Sequence, residues 1–346
     1  MKLVHLVQGA MAEASVKAAS AGEVIGVVDD LTYGPCSLSP IRHALLRRRF
    51  WQAEAEGGPG GRWLSQDRTE RADTHVFSAD ELGRRLSVLA DDFRVCLWVS
   101  GHWREMLFGC WAADALHRIG VAEERVLIGR PRAPKQPVAW IDETDLNEAV
   151  ERAAPMSPKW KAGALRVWRS YCQSAAAIEQ LRSSHPAVLP RLGSALRHYA
   201  DLLPREGTRS RSRLSRLDEA ILGALSSKAW RVYPELFRSL SSPLSRFVNI
   251  FGDLPVSRVW HWSQHRRGMF IERAPEGTDE TGPGFRLTET GVELLRDGLT
   301  RFDDAPPLQV GGHLAYGRTD PWLVVERGAS WRMRRAGHSP RSRRRL

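Results

Sequence analysis

The sequence predicts an α/β protein: a parallel sheet in the N-terminal part, then a helical connector, then a smaller helical unit carrying a two-stranded wing. Three observations predict it. Short apolar, β-branched runs alternate with helical stretches through the first 130 residues. Helical patterns then follow one another without strands. Three further helical stretches, two short strands and a last helix come after them. The chain has 346 residues, which suggests two domains or more. With 42% hydrophobic and 26% charged residues it can bury a core, and a disordered, collagenous or coiled-coil protein is excluded. Mean hydropathy is −0.37 and no apolar run reaches membrane-spanning length, so no membrane partner is expected. The start, Met1-Lys-Leu-Val-His-Leu-Val-Gln-Gly9, reads as a strand rather than a leader peptide. Cys36, Cys96, Cys110 and Cys172 form no C-x-x-C pair, so free, small buried thiols in a reducing cytoplasm are expected.

In chain order, Leu3–Val7 is the first strand, closed by Gln8-Gly9, and Ala12–Ala19 is helical. Glu23–Val28 is the second strand, ending in Asp29-Asp30-Leu31-Thr32-Tyr33-Gly34-Pro35, where Gly-Pro marks a loop. Arg42–Glu56 is a helix that the glycine-rich stretch from Gly57 to Gly61 breaks. Ser78 caps a helix from Ala79 to Leu89, with Asp80 and Glu81 in its first turn, where the helix dipole favours acids. Phe93–Val99 is the third strand. Trp103–Ile119 is a helix with Phe108, Trp111, Ala112, Ala115, Leu116 and Ile119 on one face. Arg125–Ile128 is the fourth strand.

Strand–helix alternation implies a Rossmann-like parallel sheet covered on both faces, and such sheets bind ligands beyond the carboxyl ends of their strands. Those ends carry Gly9, then Asp29 and Asp30, then Gly101 and His102, then Arg130. Gly9 would let an anion approach the start of the first helix, and Arg130 or Arg132 would pair with a phosphate or carboxylate. His102, with Asp29 or Asp30, is the candidate acid/base set; equally, Asp29 caps a loop and His102 a helix. No G-x-G-x-x-G follows the first strand and no G-x-x-x-x-G-K-[ST] occurs, so no dinucleotide or P-loop cofactor is indicated.

His5-Leu-Val-Gln-Gly9, Val27-Val-Asp-Asp-Leu-Thr-Tyr-Gly-Pro35 and Leu97-Trp-Val-Ser-Gly-His102 together resemble the bacterial family called domain of unknown function 1835. The likeness covers the residues up to about 130, and Asp-Asp-Leu-x-x-Gly-Pro is its most specific element. Where that family commonly has an acidic residue and a serine after the first glycine, Ala10 and Met11 stand here; where acidic residues commonly flank the histidine, Gly101 and Trp103 do. The resemblance implies a bacterial, cytoplasmic protein and brings no established activity.

Residues 136–205 read as the helical connector: Asp145–Ala153, then a helix opened by Ser157-Pro158 and running to Cys172, then Ala175–Arg182 and Leu189–Leu203. Trp160, Trp168 and Tyr171 are expected in the core. Arg205–Arg213 is a basic linker. Within 206–300, helices at Leu217–Leu225, Tyr233–Leu240 and Pro255–Arg267, strands at Phe270–Arg273 and Phe285–Leu287 around an acidic loop, and a last helix at Thr288–Leu299 make a winged helix-turn-helix pattern. The passage from Phe285 to Leu295 resembles the wing-to-last-helix segment of bacterial regulators. A helical wheel places Val256, Val259, Trp260 and Ser263 of the third helix inward. It places Arg258, His261, Trp262 and His265 outward, with Arg266 and Arg267 at the end, as a nucleic-acid-reading face. His261 and His265 have the i, i+4 spacing of metal ligands, but no third ligand follows and no metal is expected. Residues 301–331 hold one or two extra strands, and His313 is a weak site candidate; residues 332–346 read as a disordered basic tail.

Net charge is +11, and it is unevenly placed. Residues 1–150 hold 18 basic against 21 acidic residues, and residues 151–346 hold 33 against 19. A basic C-terminal half suits an anionic partner, with a solvated basic tail as the plain alternative. The leading expectation is therefore a small-anion or nucleotide sensor coupled to a nucleic-acid-binding module. An enzyme acting on a nucleotide or phosphorylated metabolite, and a scaffold that dimerises through its winged helix, are the alternatives.

Overall fold

A computed structural model of the chain describes residues 2–20, 22–57, 78–89, 92–132, 137–184, 189–208, 211–241, 254–274, 284–316, 321–327 and 330–336. The sheet expected at the N-terminus is present. It is built from β1 (Lys2–Gln8), β2 (Glu23–Val27), β4 (Phe93–Trp98), β5 (Val126–Gly129) and β6 (Ala154–Pro155), in the order β2-β1-β4-β5-β6. The first four are parallel; β6, a two-residue edge that the sequence does not announce, runs antiparallel to β5. Alternation along the strands sends residues to two cores. Val4, Leu6, Val95 and Leu97 face one, and Val7, Cys96 and Trp98 the other.

Helices cover both faces. α1 (Ala10–Ala19) lies on the smaller core with α5 (Glu143–Glu151), whose N-cap Asp142 accepts from Asp145 N. On the larger core lie α2 (Pro40–Gly57), which follows the two-residue strand β3 (Gly34–Pro35), then α3 (Ala79–Leu89) and α4 (Trp103–Arg118). Ser78 and Glu81 exchange hydrogen bonds with each other's backbone N–H groups, a capping box that fixes the start of α3. The connector packs directly on the sheet unit. α6 (Pro158–Gln173), capped by Ser157, and α8 (Leu192–Ala200) lie against α4, and α7 (Ala175–Ser184) follows α6. Trp160, Trp168 and Tyr171 are buried as expected, and Tyr171 donates to Leu31 O at 2.6 Å.

The stretch read as a basic linker is a hairpin, β7 (Arg205–Thr208) with β8 (Arg211–Arg213). Arg205 is buried there, donating to Leu214 O and Glu219, so its charge is spent on structure. Next come α9 (Arg216–Ala224), α10 (Tyr233–Ser241), α11 (Leu254–Gln264), the antiparallel pair β9 (Ile271–Arg273) and β10 (Phe285–Leu287), and α12 (Glu289–Asp297). A bridge from Arg231 to Phe285 adds a third antiparallel contact. The acidic loop expected between β9 and β10 lies outside the described residues, as does most of the tail. β11 (Gln309–Gly311) pairs with β12 (His313–Leu314) and returns to β3, so this segment does join the sheet unit. β13 (Trp322–Arg327) pairs with β7 and with β14 (Ser330–Arg335). Strand β14 thus takes the first residues of the stretch read as a disordered tail. One hydrophobic cluster runs from Val4 to Met333. All four cysteines are free, and no helix among the described residues is long and apolar enough to cross a membrane.

Candidate anion-binding cleft

The strand ends fall into different surroundings. Gly9 has φ 90, its N–H donates to Val27 O at 2.8 Å, and open space lies where a side chain would start. Asp29 is sealed. Its carboxylate accepts from Arg47 Nε and Nη2 (2.9 and 2.6 Å) and from Trp51 Nε1 (2.7 Å). Tyr33 packs edge-on against Trp51 and Phe50. Burial by itself would raise the Asp29 pKa, but the Arg47 charge and hydrogen bonds outweigh it and hold the carboxyl below its ordinary value. Asp30 accepts from Thr32 N and Oγ1, a local turn. Both aspartates are buried and engaged by these protein groups.

His102 is the N-cap residue of α4, next to buried Gly101, and its N–H donates to Ser100 Oγ. Its ring stacks on His198 from α8, with centroids 5.8 Å apart. Burial, and then the neighbouring His102, push the His198 pKa down to about 4. Trp103, packed against Tyr171 and Tyr199, fills the adjoining space. Beyond the end of β4, the rings of His102 and Trp103 are thus packed against side chains from the connector. His313 hydrogen-bonds Tyr199 Oη at 3.0 Å in the same packing.

Two expected residues, Arg130 and Arg132, do face a cavity. Arg130, just beyond β5, lines a cleft of about 620 Å³ with Ile128, Arg132, Arg152, Trp160 and Arg191. Ligand sites commonly occupy about 300–1,000 Å³. Four elements meet here: the carboxyl end of β5, the C-cap of α5 (Arg152), the start of α6 (Ser157) and the start of α8 (Arg191). Arg191 holds φ 64, a left-handed conformation that costs a non-glycine residue roughly 1–2 kcal/mol. Its Nη1 is buried and has no hydrogen-bond partner among the described residues. Burial, and then the Arg191 charge, lower the Arg130 pKa. Arg132 and Arg152 share one carboxylate, Glu148, at 3.6 and 2.9 Å. Among the described residues, no Asp or Glu lines the cleft itself. Two half-buried guanidinium groups thus repel each other with no described carboxylate between them. An anion in the cleft would relieve that repulsion by pairing with the accessible guanidinium nitrogens. Arg152 and Arg191 were not legible as site residues: each sits at a helix end, and nothing in their neighbours marks them.

The other expected interface is rearranged. Arg258 and Trp262 are fully buried rather than outward. Asp218 of α9 accepts from Arg258 Nε at 2.7 Å and from Trp262 Nε1 at 2.7 Å, and Arg258 Nη1 donates to Pro306 O and Pro307 O. The helical wheel ranked faces by hydropathy, and a partner forty residues away reversed the ranking. His261 meets Glu54 of α2 at 3.0 Å, and His265 bonds Asp303 O. Arg266 pairs with Asp304 at 2.8 Å. Arg266 and Arg267 both have positive φ (47 and 57), which turns the chain away at the end of the helix. Of the six residues, Arg267 alone is exposed without a described partner. Asp29–Arg47–Trp51 and Asp218–Arg258–Trp262 are the same device used twice: a buried aspartate held by an arginine and a tryptophan one helical turn apart.

Among the described residues no group of three or more His, Cys, Asp or Glu could hold a metal ion. Comparison with protein-family models and with curated proteins gives no match for this chain.

Proposed function

We propose that this protein binds a small anionic ligand in the cleft beyond β5, and that its sheet unit is a Rossmann-like binding unit coupled to a winged-helix-like unit. The observation that carries the reading is the lining of a ligand-sized cleft: Arg130, Arg132, Arg152 and Arg191 line it, and no acid does among the described residues. Placement beyond the carboxyl end of a parallel strand agrees with the general rule for such sheets. The resemblance to domain of unknown function 1835 belongs to this proposal and adds no activity to it. Support for the winged-helix-like unit is its order of elements: three helices, an antiparallel pair and a closing helix, with Arg231 bridging to Phe285. In this reading α11 is a packing helix that joins the two units through Glu54 and the 303–307 segment, not a groove reader.

Thermal unfolding with and without added inorganic phosphate tests the proposal. A ligand that binds the native state raises the midpoint in proportion to the logarithm of its concentration. The midpoint is expected to rise with millimolar phosphate and to stay fixed in Arg130→Ala and Arg191→Ala. A wild-type midpoint unmoved by phosphate, pyrophosphate and a nucleotide alike would remove the reading.

A further inference from the structure

Resting on the anion-binding reading above, we infer that the cleft takes a ligand bearing two linked phosphoryl groups, a diphosphate, rather than a single phosphate or carboxylate. Among the described residues, the lining contains four arginines and no acid. Glu148 offsets one positive charge from behind, through Arg132 and Arg152. Three positive charges are left for the ligand. A phosphomonoester carries roughly −1.5 to −2 at neutral pH and would leave the cleft under-compensated. Adding an inner phosphodiester charge brings a diphosphate to about −3, which matches.

The arginines are also arranged as two pairs. Arg130, beyond β5, and Arg191, at the start of α8, line the same cleft. Arg132 and Arg152 converge on the same carboxylate. A pair of forks suits two adjacent tetrahedral anions, each taking bidentate contacts. The start of α6 adds a weaker pull: Ser157 accepts from Trp160 N and keeps its own hydroxyl proton to donate, and the partial positive charge of a 16-residue helix points at the cleft. Trp160 and Ile128 supply an apolar wall, and the volume exceeds what phosphates alone need, so the diphosphate would carry an organic group.

Calorimetric titration of the full chain with inorganic phosphate and with pyrophosphate, at one low ionic strength, tests this. Pyrophosphate is expected to bind at least tenfold tighter than phosphate. In the Arg132→Ala/Arg152→Ala double variant, pyrophosphate should lose about tenfold while phosphate stays within twofold. Arg130→Ala/Arg191→Ala should lose both. Near-ultraviolet circular dichroism checks that each variant is folded, and Arg132→Lys, which keeps the charge, should retain most of the preference if a variant is lost to misfolding. Equal affinity for the two anions in the wild type, or a tenfold preference that survives in Arg132→Ala/Arg152→Ala, overturns the diphosphate assignment while leaving anion binding intact. No heat with either anion overturns the anion-binding reading itself.

Discussion

Replacing Arg258 by methionine separates two roles for α11 that the sequence alone leaves equal. If α11 reads nucleic acid, Arg258 is a surface contact whose loss weakens binding and spares stability. The structure places it with no exposed surface, its guanidinium on Asp218 at 2.7 and 3.3 Å and on two proline carbonyls at 2.8 and 3.1 Å. Methionine keeps much of the volume and removes every one of those donors. Asp218 would then be a buried carboxylate held by Trp262 and Ser215 alone. Breaking one side of a buried ion pair costs about 3–5 kcal/mol. In a chain this long that is a fall in the unfolding midpoint on the order of 5–10 °C. Removing both charges, in Asp218→Leu/Arg258→Met, should recover most of the loss, because the unpaired charge carries the penalty. The pH dependence has a definite sign. The Asp218 pKa is held below its ordinary value in the native state, against a burial effect that would raise it. Its contribution is therefore complete above the unfolded carboxyl pKa, near 4, and is lost as pH falls through the native value. Without Arg258 only the Trp262 and Ser215 hydrogen bonds oppose the burial effect, and acid sensitivity should begin at higher pH. Circular dichroism melts from pH 3 to pH 8 read all of this. An Arg258→Met midpoint within a degree of wild type, at every pH, would refute the buried-pair assignment.

Further outcomes are open to measurement. Arg191→Ala should leave the ligand-free midpoint unchanged or slightly raised, since it relieves repulsion on Arg130 and leaves the left-handed backbone strain as it was, while abolishing the phosphate-induced rise. Arg47→Met should cost about 3–5 kcal/mol by the same mechanism as Arg258→Met, because Asp29 is left sealed beneath Trp51, and urea melts would show it. Burial holds the pKa values of His5 and His43 at about 4, so both stay neutral at pH 7. The unfolded chain binds these protons first, so stability should fall from pH 6.5 towards 4 by about 1.4 kcal/mol per pH unit for each; His43→Gln should flatten that slope. Gly312→Ala would set a methyl 2.1 Å from Cys172 O and should destabilise by about 1–3 kcal/mol, with a lowered midpoint as the readout.

How much of this was legible follows residue by residue. Ser78, Ser157 and Thr288 announced three helix starts, because a cap bonds to backbone within its own turn. The four parallel strands were legible because strands buried on both faces are continuous apolar runs. The two-residue strands β3 and β6 were not, since nothing in Gly34-Pro35 or Ala154-Pro155 distinguishes a strand from a loop until a partner lies beside it. Arg205 read as linker charge and proved to be core, because Glu219 and Leu214 O receive it. Of the expected ligand residues, Arg130 and Arg132 face the cleft, Gly9 borders open space, and Asp29, Asp30 and His102 are buried against protein groups.

Local chemistry, then, belonged to the sequence by itself: the alternation of strand and helix, the caps, the free cysteines and the surplus of arginine in the C-terminal part. Those features depend on neighbours within about one helical turn or one strand. Tertiary structure decided which charges are spent inside and which are left for a partner. Arg258 found Asp218, Arg47 found Asp29, and Arg191 was brought beside Arg130 with no acid between them. An arginine costs several kcal/mol to bury unpaired and little when its forks are filled, so its role is set by what the fold carries to it from far along the chain.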